Sequence, residues 1–253
     1  MKFNPMDLTD RTILVTGASS GIGRETSILL SRLRARLILV ARNTDQLRKT
    51  ESELEGSSHS IETYDLSTVS EIPIWLKSLA SEIGPLDGLV HCAGIQINEP
   101  IRYLKVEDVD KVMQINFASA IHLAKGFRQK KVCSSPSSVV FLSSVMGLVG
   151  QPGASIYAAS KGALVALTKS LAMELASEGI RVNCVAPGCV QTRIFERLLE
   201  PIPADQVAAI KAMHPLGIGS PVDVANAIAF LVADTGRWIT GSTLVVDGGY
   251  TAH

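Results

Sequence analysis

Short apolar runs alternate with longer stretches of helical period along this chain of 253 residues. Seven runs predict strands: TILVTG (12–17), RLILVAR (36–42), HSIETYD (59–65), DGLVHCAG (87–94), SVVFLSS (138–144), IRVNCVAP (180–187) and STLVVDGG (242–249). The first, second, fourth, fifth and sixth have near-continuous apolar centres, as strands buried on both faces do. Between the runs, apolar spacing predicts helices over about 21–34, 44–55, 68–82, 105–131, 155–178 and 222–233. Such regular alternation implies right-handed crossovers. The expected fold class is therefore α/β: three layers, doubly wound, with a seven-stranded parallel sheet between helices.

No repeat, low-complexity tract or linker divides the pattern, so one domain over residues 1–253 is expected. One long interruption, TRIFERLLEPIPADQVAAIKAMHPLG (192–217), follows the sixth strand; its amphipathic pieces are broken at Pro201 and Pro203. Open α/β sheets bind ligands outside the carboxyl ends of their strands. This segment leaves such an end and is expected to form a substrate lid, the alternative being a surface excursion that covers a sheet edge.

Composition narrows the class. With 46% hydrophobic and 19% charged residues, the chain can bury a large core, which excludes disorder. Basic and acidic residues number 24 each, so no charge excess points to nucleic acid or an anionic membrane as partner. Cys92, Cys133, Cys184 and Cys189 form no CxxC pair and lack the spacing of a metal site. Three of them sit in apolar surroundings and read as buried free thiols. The N-terminus lacks the charged head and apolar run of a signal peptide, and no apolar run reaches membrane-spanning length. A cytoplasmic protein without a metal is expected.

The candidate chemistry lies at strand ends. TILVTGASSGIGRE is a strand, a Gly-rich turn and a helix start. Gly17 allows the tight turn; Gly21 and Gly23 let backbone approach a pyrophosphate at the helix N-terminus, where free N–H groups favour an anion. Ser19 and Ser20 add hydroxyl donors. The second strand ends in Ala41 and Arg42, where a site for a dinucleotide without a 2'-phosphate carries an acid. A guanidinium can grip a 2'-phosphate through two charge-assisted hydrogen bonds. NADP(H) is therefore preferred, with NAD(H) possible, since Arg42 would also serve as a solvated strand end and no second basic residue stands at Ser20. Further on, SIYAASKGALVALTKSLAMEL (155–175) opens with Tyr157 and Lys161, one turn apart on one helix face. Taken alone, the pair is also what an ordinary helix start offers.

Together these motifs resemble the short-chain dehydrogenase/reductase family in its compact form, from about Thr12 to Gly249. TGASSGIG (16–23), including Ile22, matches the family's T-G-x-x-x-G-x-G. Asp65 and Leu66 match its adenine-contacting pair, and HCAG (91–94) stands where the family has N-N-A-G. Ala93 and Gly94, which let backbone approach the cofactor ribose, are retained; His91 is expected to alter local bonding rather than activity. Asn116, Ser144, Tyr157 and Lys161 match the catalytic tetrad. PGCVQT (187–192), with Pro187, Gly188, Val190 and Thr192, matches the segment that holds the nicotinamide carboxamide.

The resemblance implies a Rossmann fold and an NADP(H)-dependent oxidoreductase that reduces a ketone or runs the reverse oxidation. Tyr157 would be the acid or base, with Lys161 lowering its pKa and bonding the cofactor ribose. Ser144 would hold the carbonyl oxygen, and Asn116 a water leading from Lys161 to solvent. The substrate walls would be Ile95, Met146, Leu148, Gln151, Cys189, Ile194, Phe195, Leu198 and Leu199, an apolar lining that suits acyl, alicyclic or aryl ketones. A homotetramer or dimer through the two long helices and the last helix–strand unit is the family expectation. The nearest pattern within the family is that of 3-oxoacyl-carrier-protein reductases. Their arginines for the acidic carrier are replaced here by Met173 and Glu178, so free ketones are the expected substrates and carrier-bound ones the alternative. A cofactor-binding regulator without turnover is the alternative of another class, disfavoured because all four tetrad residues are present.

Overall fold

The structure, a computed structural model, describes residues 4–200 and 203–252, apart from the side chain of Leu198. Seven parallel strands form one sheet in the order β3-β2-β1-β4-β5-β6-β7. They are β1 (Thr12–Thr16), β2 (Arg36–Ala41), β3 (Ser60–Thr63), β4 (Leu86–His91), β5 (Cys133–Leu142), β6 (Ile180–Pro187) and β7 (Thr243–Val246). The order reverses between β1 and β4, the switch point at which the carboxyl ends open a crevice.

The sheet is buried on both faces because alternate side chains serve two cores. Leu14, Ile38, Leu89, Val139, Phe141 and Val182 face the helices α3 (Ile72–Ile83), α5 (Ser119–Phe127) and α6 (Ser155–Leu175). Ile13, Val15, Leu37, Leu39, Val90 and Val140 face the opposite layer, built from α1 (Gly21–Arg32), α2 (Thr44–Glu51) and α9 (Pro221–Val232). In α6 the buried positions Ile156, Ser160, Lys161, Leu164, Thr168, Ala172 and Leu175 recur every three to four residues, one stripe of an α-helix. That stripe aims Lys161 at the sheet.

Three expectations change in detail. The helix predicted over about 105–131 is two helices, α4 (Val106–Met113) and α5, joined by a π-helical turn at Gln114–Ala118. The extra residue in this turn goes with side-chain bonds that hold it open: Asn116 clamps the backbone of Ile95, and Ser119 Oγ donates to the Ile115 carbonyl at 2.6 Å. Strand β5 starts at Cys133 rather than Ser138, because Cys133 pairs with Leu86 across a register shift. The segment 192–217 contains two helices, α7 (Arg193–Leu199) and α8 (Ala204–Ala212). Thr192 caps the first by accepting from Phe195 N at 3.3 Å, and Pro203 precedes the second; the break expected at Pro201 lies outside the described residues. Among the described residues no helix is long and apolar enough to cross a membrane. All four cysteines are free thiols, but only Cys184 is buried; the other three are partly exposed.

Candidate active site

The carboxyl ends of β1, β2, β4, β5 and β6 open onto one cavity of about 450 Å³. At its β1 end the turn after Thr16 depends on two glycines. Gly17 has φ +68°, a conformation that side chains disfavour, and a Cβ on Gly23 would fall 2.3 Å from the Gly17 carbonyl oxygen. Gly23 therefore closes the turn onto the helix as well as keeping the entrance clear. Helix α1 begins at Gly21 with Ser20 as N-cap, its hydroxyl not spent on capping and no acid in the first turn. The first N–H groups of a helix lack intrahelical partners, so this end of the cavity favours an anion.

Arg42 stands exposed on the wall after β2, beside Asp65. The Ser67 amide, donating at 3.0 Å, holds the Asp65 carboxyl below its usual range, and the Arg42 guanidinium adds to the effect. Ala41 leaves the strand end without an acid. A Gly-lined helix N-terminus with a guanidinium beyond it fits a nicotinamide dinucleotide.

The opposite end of the cavity is built where β5 meets α6. Gly147 packs so closely on α6 that a Cβ would lie 2.7 Å from the Lys161 carbonyl carbon. Ser143 Oγ donates to the Lys161 carbonyl at 2.7 Å, and Lys161 Nζ donates to the Leu142 carbonyl at 2.7 Å. These contacts bring Ser144 and Tyr157 to the same cavity wall, with the Ser144 hydroxyl accepting from Met146 N at 3.2 Å. Lys161 is buried, and burial lowers its ammonium to about 8. Its Nζ lies 5.8 Å from the centre of the Tyr157 ring.

The expected lowering of Tyr157 by Lys161 is not what these surroundings produce. Tyr157 is half-buried as a residue, but its phenol lies deep, and burial pushes it up to about 12, the nearby Ser144 hydroxyl pulling the other way. The Lys161 charge, directed at the Leu142 carbonyl, does not offset that penalty. In this state the phenol is a proton donor rather than a phenolate.

All the residues read from the sequence as cofactor contacts line this one cavity: Gly17, Ser19, Ser20, Gly21, Ile22, Gly23, Arg42, Asp65, Leu66, Ala93, Gly94, Tyr157, Lys161, Pro187, Gly188, Val190 and Thr192. Ser144 lines it too, whereas Asn116 stands behind the wall. Its Oδ1 accepts from Ile95 N at 2.8 Å, and its Nδ2 donates to the Ile95 carbonyl at 2.9 Å and to Ser160 Oγ at 3.0 Å. Asn116 thus fixes the turn after β4, and its amide N–H groups have no capacity left for a bridging water. Of the expected substrate walls, Ile95, Met146, Gln151, Cys189, Ile194 and Phe195 line the cavity; Leu148 and Leu199 do not, and the side chain of Leu198 lies outside the described residues. Ile210, Met213, His214 and Tyr250 also line it. Nothing in the local sequence marks them, because they reach the cavity only through the return of α8 and of the C-terminal turn.

His91 is buried and structural, as expected for a strand end. Ala93 N donates to Thr16 Oγ1 at 3.2 Å, and Thr16 Oγ1 lies 2.8 Å from His91 Nδ1. Ser119 Oγ gives its proton to Ile115, so at 3.3 Å it accepts from His91 Nε2–H. The ring is therefore neutral and protonated at Nε2, with Nδ1 accepting from Thr16. Burial, then the Lys161 charge, lowers it to about 3. The relay ties β1, β4 and the π-turn together.

Comparison with known proteins matches residues 17–251 to the family described as enoyl-(acyl carrier protein) reductase. The 3-oxoacyl-[acyl-carrier-protein] reductase FabG of Rickettsia felis is 38% identical, over 96% of this chain and 98% of its own. A tropinone reductase homolog of Arabidopsis thaliana is 36% identical, over 97% and 94%. Among solved structures, a protein of Beutenbergia cavernae named for NAD(P)-dependent gluconate 5-dehydrogenase activity, with NADP bound at low occupancy, has a TM-score of 0.92. It is 31% identical, over 99% of this chain and 100% of its own.

Proposed function

The chain belongs to the short-chain dehydrogenase/reductase family, oxidoreductases of CH–OH and C=O groups that use a nicotinamide cofactor, and on that premise we propose that it is an NADP(H)-dependent ketone reductase. The observation that carries this reading is one cavity with Ser144, Tyr157 and Lys161 at one end and Arg42 beyond the α1 N-terminus at the other. The cofactor would lie along Gly17–Gly23, Arg42, Asp65–Leu66, Ala93–Gly94 and Pro187–Thr192, and when bound it supplies a hydride to the carbonyl carbon.

Tyr157, with its phenol protonated, gives its proton to the carbonyl oxygen. Ser144 donates a hydrogen bond to the same oxygen and stabilises the charge that develops there. Lys161 holds a positive charge beside the phenol below pH of about 8 and loses it above. Asn116 acts as a positioning residue for the Gly94–Ile95 wall. Helices α7 and α8 serve as the lid, with Ile194, Phe195 and Met213 turned to an apolar substrate. The whole chain acts as one domain. Free thiols support a reducing, cytoplasmic setting. Exposed Ile121, Met173, Leu244 and Val245 support assembly into a homotetramer. Oxidation of NADPH against a panel of free ketones and 3-oxoacyl thioesters tests the reading; no turnover with any of them would overturn it.

A second reading, reduction of 3-oxoacyl groups on a carrier protein, is supported by the names of the curated relatives. Against it stands the exposed Met173; Glu178 weighs less, because Arg128 partners its charge at 2.6 Å. A carrier-bound substrate turned over far faster than the same group on a short thioester, with the advantage lost at high salt, would favour this second reading.

A further inference from the structure

His214 lies in the expected lid segment, yet it is only 3% exposed. Its ring joins three parts of the chain that are distant in sequence. Cys189 N–H, in the loop after β6, donates to Nε2 at 3.1 Å. Nδ1 lies 3.0 Å from the Ile210 carbonyl in α8, and the ring stacks on Tyr250 with centroids 4.9 Å apart. A carbonyl can only accept and an amide N–H can only donate, so the ring is neutral and carries its proton on Nδ1. This is the opposite tautomer to that of His91.

The bonded loop is a wall of the cavity: Pro187, Gly188, Cys189, Val190 and Thr192 all line it. Cys189 is held from both sides, its carbonyl accepting from Gly219 N at 3.0 Å and its amide donating to His214. The ring also packs so tightly on Gly188 that a Cβ there would lie 3.1 Å from Nε2. A shift of the imidazole therefore moves the loop, and a shift of α8 moves the imidazole.

We propose that His214 is a positioning residue, a latch that pins helix α8 to the Pro187–Thr192 loop and so sets the affinity of the site for its cofactor. The inference rests on the oxidoreductase reading only in naming the ligand. Three substitutions separate the two halves of the latch. In His214→Gln an amide oxygen reaches the position of Nε2 and can accept from Cys189. In His214→Asn the amide reaches only the position of Nδ1 and can bond Ile210, and His214→Leu makes neither bond.

The test measures the dissociation constant of NADPH by fluorescence titration for each purified variant, beside kcat at saturating NADPH and ketone. Loss of the Cys189 bond should weaken NADPH roughly tenfold in His214→Leu and His214→Asn, a larger effect than that on kcat, because a lost hydrogen bond and an unpaired amide together cost about that much. His214→Gln should restore most of the affinity. Wild-type affinity in His214→Leu, or His214→Gln as weak as His214→Leu, would overturn the proposal. If the Leu variant does not fold, the contrast of Gln with Asn decides. Nitrogen-15 spectra of histidine in the wild-type protein give a check independent of any ligand: a neutral ring protonated on Nδ1 is expected, and an Nε2–H tautomer at His214 would refute the latch. Failure of wild-type protein to bind NADPH, with that tautomer present, would instead count against the cofactor reading alone.

Discussion

Replacing His91 with asparagine should make the protein less sensitive to acid. The unfolded chain takes up a proton on this imidazole near the ordinary 6.5, whereas in the fold burial holds it unprotonated down to about 3. Between those values the unfolded state binds more protons, so stability is full above 6.5 and falls as the pH drops, by ~1.4 kcal/mol per pH unit. From pH 7 to pH 4.5 the loss from this one ring comes to about 2.5 kcal/mol, computed from those two pKa values and the same linkage. Protonation of carboxylates adds to the acid sensitivity of both proteins and cancels in their difference. For a chain of this length each kcal/mol shifts the melting temperature by roughly 2–4 °C, so the wild type should lose about 5–10 °C more than His91→Asn over that interval. Thermal melts at pH 7 and 4.5, at one fixed protein concentration, measure the difference. Equal losses in both proteins would refute the view that the ring is buried and neutral.

Other perturbations follow from the same geometry. Ala41→Asp combined with Arg42→Ala should reverse the preference for NADPH over NADH by roughly 10–100-fold in kcat/KM, since a charge-assisted grip is lost and an acid gained; equal use of both cofactors by the parent would count against the role given to Arg42. Asn116→Leu leaves the Ile95 amide and carbonyl unpaired and should cost about 2–3 kcal/mol in denaturant unfolding, with lower turnover; unchanged stability would refute the clamp. The pH profile of ketone reduction should decline through about 8, where Lys161 loses its charge, and a flat alkaline limb would contradict that. Sedimentation at micromolar concentration should give a tetramer mass, and a strict monomer would refute the assembly proposed.

The parts of the fold legible in the sequence are those whose signal is local. Strands such as Leu37–Val40 and Val139–Leu142 are buried on both faces, and continuous apolar residues record that. The glycines of the β1–α1 turn and the Tyr157–Lys161 spacing are likewise local patterns. What escaped depends on partners far along the chain. The π-turn is held by Asn116 gripping Ile95, and the early start of β5 by Cys133 meeting Leu86. His214 looks like any polar residue before a Pro-Leu-Gly until its bond to Cys189 and its stack on Tyr250 are seen. The titration of Tyr157 escaped for a related reason: spacing reveals that a lysine is near, but not that burial outweighs it or that the ammonium is directed at Leu142.

In the proposed reaction Tyr157 hands its proton to a carbonyl oxygen, in the cavity that would also hold the nicotinamide cofactor. Tyr157→Phe keeps the ring, the packing and the binding surface and removes only the hydroxyl. Its kcat for ketone reduction, measured beside NADPH affinity, is the most direct test. The expected result is a fall of at least roughly 10²–10⁴-fold with NADPH affinity within about twofold of wild type. A folded Tyr157→Phe protein that binds NADPH and turns over at the wild-type rate would contradict it.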